Sequence, residues 1–193
     1  MGDDVLIFPR RAPRQAVAPN AVVGTLIFVV TELMLFAGFI SAFTITRAAY
    51  NTWPPIGQPR LPVSATLVNT AALLASGVAI YFANRAFVRE PAQARRWTLL
   101  ALVLGGFFLV FQGAEWVALL REGLSISSSN HGAFFYLIVG THGLHALAAL
   151  LVLGIQYVRM RRNDLTHDAF LAAQVFWYFV VGVWPVLYWR VYL

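Results

Sequence analysis

The chain is 193 residues long, with 60% hydrophobic and 11% charged residues and no cysteine. A soluble globular protein carries roughly 45–50% apolar and about 25% charged residues, so this is an integral membrane protein. Disulfide scaffolds, thiolate zinc sites, iron–sulfur clusters and cysteine catalysis are excluded. All 14 basic residues are arginines and the formal charge is +6, yet the arginines fall between apolar runs and form no basic face for nucleic acid. A membrane surface is the expected counter-charge.

Five apolar stretches reach the ~20 residues that a bilayer-crossing helix needs: Val22–Thr46, Val63–Ala83, Trp97–Leu120, Ala133–Val158 and Ala169–Trp189. They lack the short alternation of a membrane barrel, so the expected fold is all-α: a polytopic bundle of five transmembrane helices. Residues 1–21 form an N-terminal segment and residues 22–193 the membrane domain. Arginine placement sets the direction. Arg10, Arg11, Arg14, Arg85, Arg89, Arg95, Arg96, Arg159, Arg161 and Arg162 share one side, and Arg47, Arg60, Arg121 and Arg190 the other. The excess puts the N-terminus in the cytoplasm and the C-terminus outside. The first run is too long for a signal-peptide core and is expected to be retained, and Asp3 and Asp4 argue against a transit peptide.

The first span carries Thr25, Phe28, Glu32, Phe36 and Phe39 on one face. A carboxylate left at mid-membrane costs ~3 kcal/mol or considerably more, so Glu32 should face the bundle, paired or protonated. It is either a carboxyl hydrogen-bonded to a neighbouring helix or a proton-exchanging group. The loop that follows holds Pro54, Pro55, Gly57, Pro59 and Pro62, which cannot continue a helix. The second span, Val63–Ala83, is free of charge.

In the third span Gly105, Phe108, Gln112 and Glu115 share a face, with Glu115 near the outer end, where a structural role is the simpler reading. The next loop contains Gly123 and the serine tract Ser125–Ser129. The fourth span begins after His131 and contains Gly140-Thr141-His142-Gly143-Leu144-His145-Ala146, with small residues that allow close helix approach. Counting 1.5 Å per residue puts Glu32 and His142 at matching depths in a ~30 Å core. Glu32 is therefore expected to reach His142 or His145, directly or through water; alternatively the imidazoles only hydrogen-bond their neighbours. His142 and His145 are ~60° apart on one helix and cannot both ligate one haem iron. The expectation is no metal and no redox cofactor in this chain.

The fifth span carries Pro185, expected to kink it. Trp53, Trp97, Tyr157, Trp189 and Tyr192 sit near span ends as interfacial anchors, and Arg85 and Arg96 flank the same boundaries. No serine stands in a His/Asp arrangement and no glycine loop cradles phosphate, so hydrolase and transferase readings fail.

Four segments carry a resemblance. Thr31-Glu32-Leu33-Met34-Leu35-Phe36 with Phe39, Leu67-Val68-Asn69-Thr70-Ala71-Ala72-Leu73-Leu74, Phe108-Leu109-Val110-Phe111-Gln112-Gly113-Ala114-Glu115-Trp116, and Phe134-Phe135 followed by Gly140 to His145 stand in sequence order. Together they resemble subunit III of haem–copper terminal oxidases, in its shorter five-helix form. The resemblance implies a non-catalytic accessory subunit of a cytochrome c or quinol oxidase in a bacterial inner membrane. It would lie beside catalytic subunit I, which holds haem and copper, with other oxidase subunits around it and a larger respiratory supercomplex as a further setting. It also implies bound phospholipid, support of proton uptake and protection of the catalytic subunit during turnover. Glu32 matches the family's buried, carbodiimide-reactive carboxyl, and His142 and His145 match its paired histidines.

The C-terminal run departs from the pattern. Where the family often has Trp-His-Phe-Val-Asp, this chain has Trp177-Tyr178-Phe179-Val180-Val181, so the histidine and aspartate are replaced by Tyr178 and Val181. A subunit III-like partner of nitric-oxide reductase, and a small proton-coupled transporter using Glu32, Glu115 and the histidines, are the alternatives.

Overall fold

The computed structural model describes residues 19–193; Asp3, Asp4, Arg10, Arg11 and Arg14 lie outside the described residues. Five helices follow one another: α1 Asn20–Ala48, α2 Val63–Ala86, α3 Pro91–Arg121, α4 Asn130–Arg161 and α5 His167–Leu187, after which Tyr188–Tyr192 forms a π-helical turn. All five are long and apolar enough to cross a membrane, and no strand occurs among the described residues.

The helices outrun the apolar stretches that announce them. α3 begins at Pro91, six residues before Trp97, because proline at the first position gives up an amide that has no helical partner anyway. α4 starts at Asn130, where the Ser129 hydroxyl accepts the amide of Gly132 at 3.1 Å and caps the helix. α3 ends at Arg121, and two residues on the chain turns at Gly123, whose φ of +92° only glycine adopts without strain. Leu124 then donates its amide back to the carbonyl of Leu119. α5 shifts to π geometry three residues after Pro185.

α5 lies innermost. It packs against α1, α2 and α4, while α3 closes the bundle between α2 and α4. Ten of its residues are buried, including Trp177 and Trp184, which are wholly enclosed. α1 is peripheral and buries only Phe36 and Phe43 completely. Its outer surface exposes Ile27, Val30, Leu33, Met34 and Ile45, as a lipid-facing helix does. Close approach is set by glycine at several crossings. A Cβ on Gly105 would lie 2.6 Å from the ring of Trp177, and one on Gly77 would lie 3.0 Å from Val181.

Candidate functional site: two polar groups inside the bundle

The polar side chains of the spans resolve into two groups. The first lies midway along the helices. Glu32 Oε2 of α1 stands 3.0 Å from His145 Nε2 of α4, with 18% and 16% of the side chains exposed. The approach is off the axis of the ring N–H, and no other protein group reaches that oxygen. The other ring nitrogen, Nδ1, donates to the carbonyl of Thr141 one turn earlier at 2.8 Å. A carbonyl only accepts, so this bond fixes the proton on Nδ1 and turns Nε2 toward the carboxyl. A further proton on Glu32 would give an acid beside a neutral imidazole, and on His145 a carboxylate beside an imidazolium; both arrangements would carry no net charge.

His142 lies one turn away on the same helix face, but Phe36 reaches between the two imidazoles, with ring centroids 5.7 Å from His145 and 6.3 Å from His142. His142 is 1% exposed, and neither ring nitrogen has a hydrogen-bond partner. Its ring stacks on Trp184 and meets Phe108 edge-on.

The second group sits where α2 begins, α3 ends and the chain finishes. Glu115 is 9% exposed; Gln112 Nε2 donates to its Oε2 at 3.2 Å and to the Tyr192 hydroxyl at 3.0 Å. Asn69 Nδ2 donates to the carbonyl of Phe108 and to Gln112 Oε1. Thr66 Oγ1 lies 3.2 and 3.1 Å from the two Glu115 oxygens and 2.9 Å from the carbonyl of Pro62. The hydroxyl has a single proton. Given to Pro62, it leaves Glu115 to supply the proton between them; given to Glu115, it meets an accepting carboxyl oxygen. Trp184 Nε1 donates to Thr70 Oγ1 at 2.8 Å, and Trp177 Nε1 to Ser76 Oγ at 3.2 Å, so the polar edge of α2 also ties down α5.

Thr66 and Ser76 carry no signal of their own in the sequence. Thr66, Asn69, Thr70, Leu73, Ser76 and Gly77 recur at steps of three and four on α2, a stripe of small and polar residues that marks a packed face. Tyr192 departs from the expectation of an interfacial anchor: it is 7% exposed, because the π-helical turn carries it inward to Gln112. Trp189 stays 62% exposed with the Arg190 guanidinium over its ring, and Trp97 rests on Phe82. Arg85, exposed, reaches the Tyr81 hydroxyl at 3.4 Å, and Arg96 is exposed beside Trp97. Where the fifth helix lacks the family's histidine and aspartate, the Tyr178 hydroxyl accepts from Gln174 Nε2, and Val181 fills the space over Gly77. Among the described residues no group of three or more His, Asp or Glu side chains is placed to hold a metal ion.

A model of the family "Cytochrome c oxidase subunit III" matches residues 12–193. The probable cytochrome c oxidase subunit 3 of Nocardia farcinica is 36% identical over 184 residues, covering 90% of this chain and 88% of that protein. Cytochrome c oxidase subunit 3 of Corynebacterium diphtheriae is 35% identical over 192 residues, covering 94% and 93%. The mouse protein of the same name is 33% identical over 179 residues, covering 88% and 67%. With its five membrane-length helices and a match over nearly its whole length, the chain belongs to the cytochrome c oxidase subunit III family.

Proposed function

We propose that the chain is the non-catalytic subunit III of a bacterial haem–copper terminal oxidase, embedded in the inner membrane with its N-terminus in the cytoplasm. The observation that carries this is the family match over residues 12–193. The chain acts on its neighbours. It packs beside catalytic subunit I, which carries the haem and copper, and among other oxidase subunits; it binds phospholipid, and it sustains proton uptake and the working lifetime of the catalytic subunit. A larger respiratory assembly is the natural setting for such a complex.

Physical features support each part. Glu32 and His145 meet at mid-span, and a proton passed across the 3.0 Å between them leaves the net charge unchanged, avoiding the cost of an isolated charge in hydrocarbon. The pair can accept or release a proton from either partner without rearranging a helix, because Thr141 holds the ring in place. Lipid binding is supported by an apolar groove of about 420 Å³ between α1 and α5, lined by Val29, Leu33, Tyr178, Phe179 and Val183. A second cleft of about 590 Å³ lies where α1 starts, beside Thr25, Phe28, Gln156 and Phe176. Gln112 and Glu115 serve as a structural clasp.

The test is purification in mild detergent through a tag on this chain, followed by a visible spectrum and identification of the accompanying chains. Haem absorbance with a large multi-span, oxygen-reducing partner is the expected result. A nitric-oxide-reducing core in its place would reassign the partner. A colourless homo-oligomer that carries protons in liposomes would overturn the proposal.

A further inference from the structure

At the end of the bundle where α1 finishes, a cleft of about 180 Å³ adjoins the second polar group, with which it shares Tyr192. Arg47, from the last turn of α1, and Arg60, from the loop before α2, line it together with His131, Trp53, Leu61, Val191 and the last residue, Leu193. Neither guanidinium makes a salt bridge among the described residues. His131 is 2% exposed, yet both of its ring nitrogens lack a hydrogen-bond partner. A buried polar group left in this state calls for an unseen partner, and here it forms part of a wall shared with two arginines that make no ion pair within 4 Å among the described residues. The Trp53 ring meets His131 edge-on at 5.1 Å and holds it there.

The lining is amphiphilic. Two arginines offer forked N–H donors suited to phosphate oxygens. A neutral imidazole adds one more donor. Leu61 and Val191 supply apolar surface beside them. The volume accommodates several waters at ~30 Å³ each, and therefore a phosphate-sized group. Helix ends of this kind stand at the level of lipid headgroups whichever way the bundle is inserted.

We propose that this cleft binds the phosphate of an anionic phospholipid headgroup, held by Arg47 and Arg60 with His131 as a third donor. The inference rests on the lipid-binding reading above and gives it an address, separate from the apolar grooves along α1. Two guanidiniums against the single carboxylate of Leu193 leave the cleft net positive, which selects an anionic headgroup over a zwitterionic one, whose choline would bring a further cation into the cleft.

The test uses the whole purified complex, stripped of loosely held lipid, and native mass spectrometry with added phosphatidylglycerol, phosphatidylcholine or inorganic phosphate. Wild type is expected to take up phosphatidylglycerol at this site about tenfold or more tightly than R47Q/R60Q, a difference of ~1.4 kcal/mol or more. R47K/R60K, which keeps the charge, should retain most of the binding. His131→Phe, which preserves the edge-on ring but removes both nitrogens, should weaken it by less than R47Q/R60Q does. If R47Q/R60Q fails to assemble, Arg60→Gln alone, on an exposed loop position, gives the same comparison. Equal phosphatidylglycerol binding by wild type and the glutamine variant, or equal uptake of phosphatidylcholine, overturns the site. Inorganic phosphate occupying the stripped complex in preference to phosphatidylglycerol overturns the lipid as its source. Retained lipid that no variant here alters removes this site alone, whereas a wild-type complex that binds no lipid through this subunit removes the broader reading as well.

Discussion

Trp184 of α5 lies stacked on His142 of α4, ring centroids 4.9 Å apart and planes 30° from parallel, while its indole N–H reaches Thr70 of α2. One side chain thus fastens three helices. It also explains how an imidazole with no hydrogen bond can sit fully enclosed: the ring is held by its faces and edges, with Trp184 on one side and Phe108 and Phe36 at its margins.

A histidine used in this way can be exchanged for an apolar ring. An unsatisfied buried donor or acceptor costs about 1–3 kcal/mol, so His142→Phe removes a penalty and keeps the stack. The expected outcome is a subunit that resists thermal release from the complex at least as well as wild type. Trp184→Ala should be lost much earlier, since deleting a buried tryptophan costs ~3–5 kcal/mol. Release followed by gel or mass analysis of the heated complex reads both.

Carboxyl reactivity should separate the two buried acids. Glu32 keeps 18% of its side chain exposed and has one partner, whereas Glu115 is 9% exposed and engaged by Thr66 and Gln112. An apolar carbodiimide, entering through the membrane, should modify Glu32 ahead of Glu115 and ahead of the loop residues Glu90 and Glu122. Peptide mapping with the adduct confined to the loop carboxylates would count against a mid-membrane proton-carrying role.

Glu32→Gln tests the chemistry with little change of shape. The amide still reaches His145 but cannot exchange a proton. Haem spectra should be unaltered, while oxygen consumption falls away sooner over repeated turnovers, as it should in Glu32→Ala. Sustained activity equal to wild type in Glu32→Gln, with loss only in Glu32→Ala, would make Glu32 a packing element.

The glycines of α3 offer a matched pair. A methyl at Gly105 would come within 2.6 Å of Trp177 and 2.9 Å of Leu150, whereas a methyl at neighbouring Gly106 meets nothing within 4 Å. Overpacking typically costs ~1–3 kcal/mol, so Gly105→Ala should lower the temperature at which the subunit leaves the complex. Gly106→Ala should leave it unchanged or raise it, because alanine is favoured over glycine within a helix by ~1 kcal/mol.

The helices were legible because hydrocarbon demands a long apolar run, and the depth of Glu32 against the fourth span was legible from rise per residue alone. Helix ends were not, since hydropathy stops at the membrane boundary while Pro91 and Ser129 let the backbone continue into polar surroundings. The clasp around Glu115 was half visible. Gln112 and Glu115 advertise themselves by being polar in an apolar run. Thr66, Thr70 and Ser76 do not, because a hydroxyl can satisfy itself on the preceding turn, as all three do. Tyr192 looked like a boundary residue, and only the π-helical turn shows that it points inward. Nothing in the sequence told His142 from His145. The difference lies in which one Trp184 and Phe108 enclose.

Glu32 is delivered by the helix with the narrowest seam. α1 buries just two side chains completely, and its opposite surface is bare. A strip of that width is the easiest part of the bundle to prise open, since local stability follows the number of enclosed apolar contacts. A body pressing on the bare flank of α1 would thereby tune how firmly its carboxyl meets the imidazole, giving the surroundings a mechanical handle on the contact at the centre of the bundle.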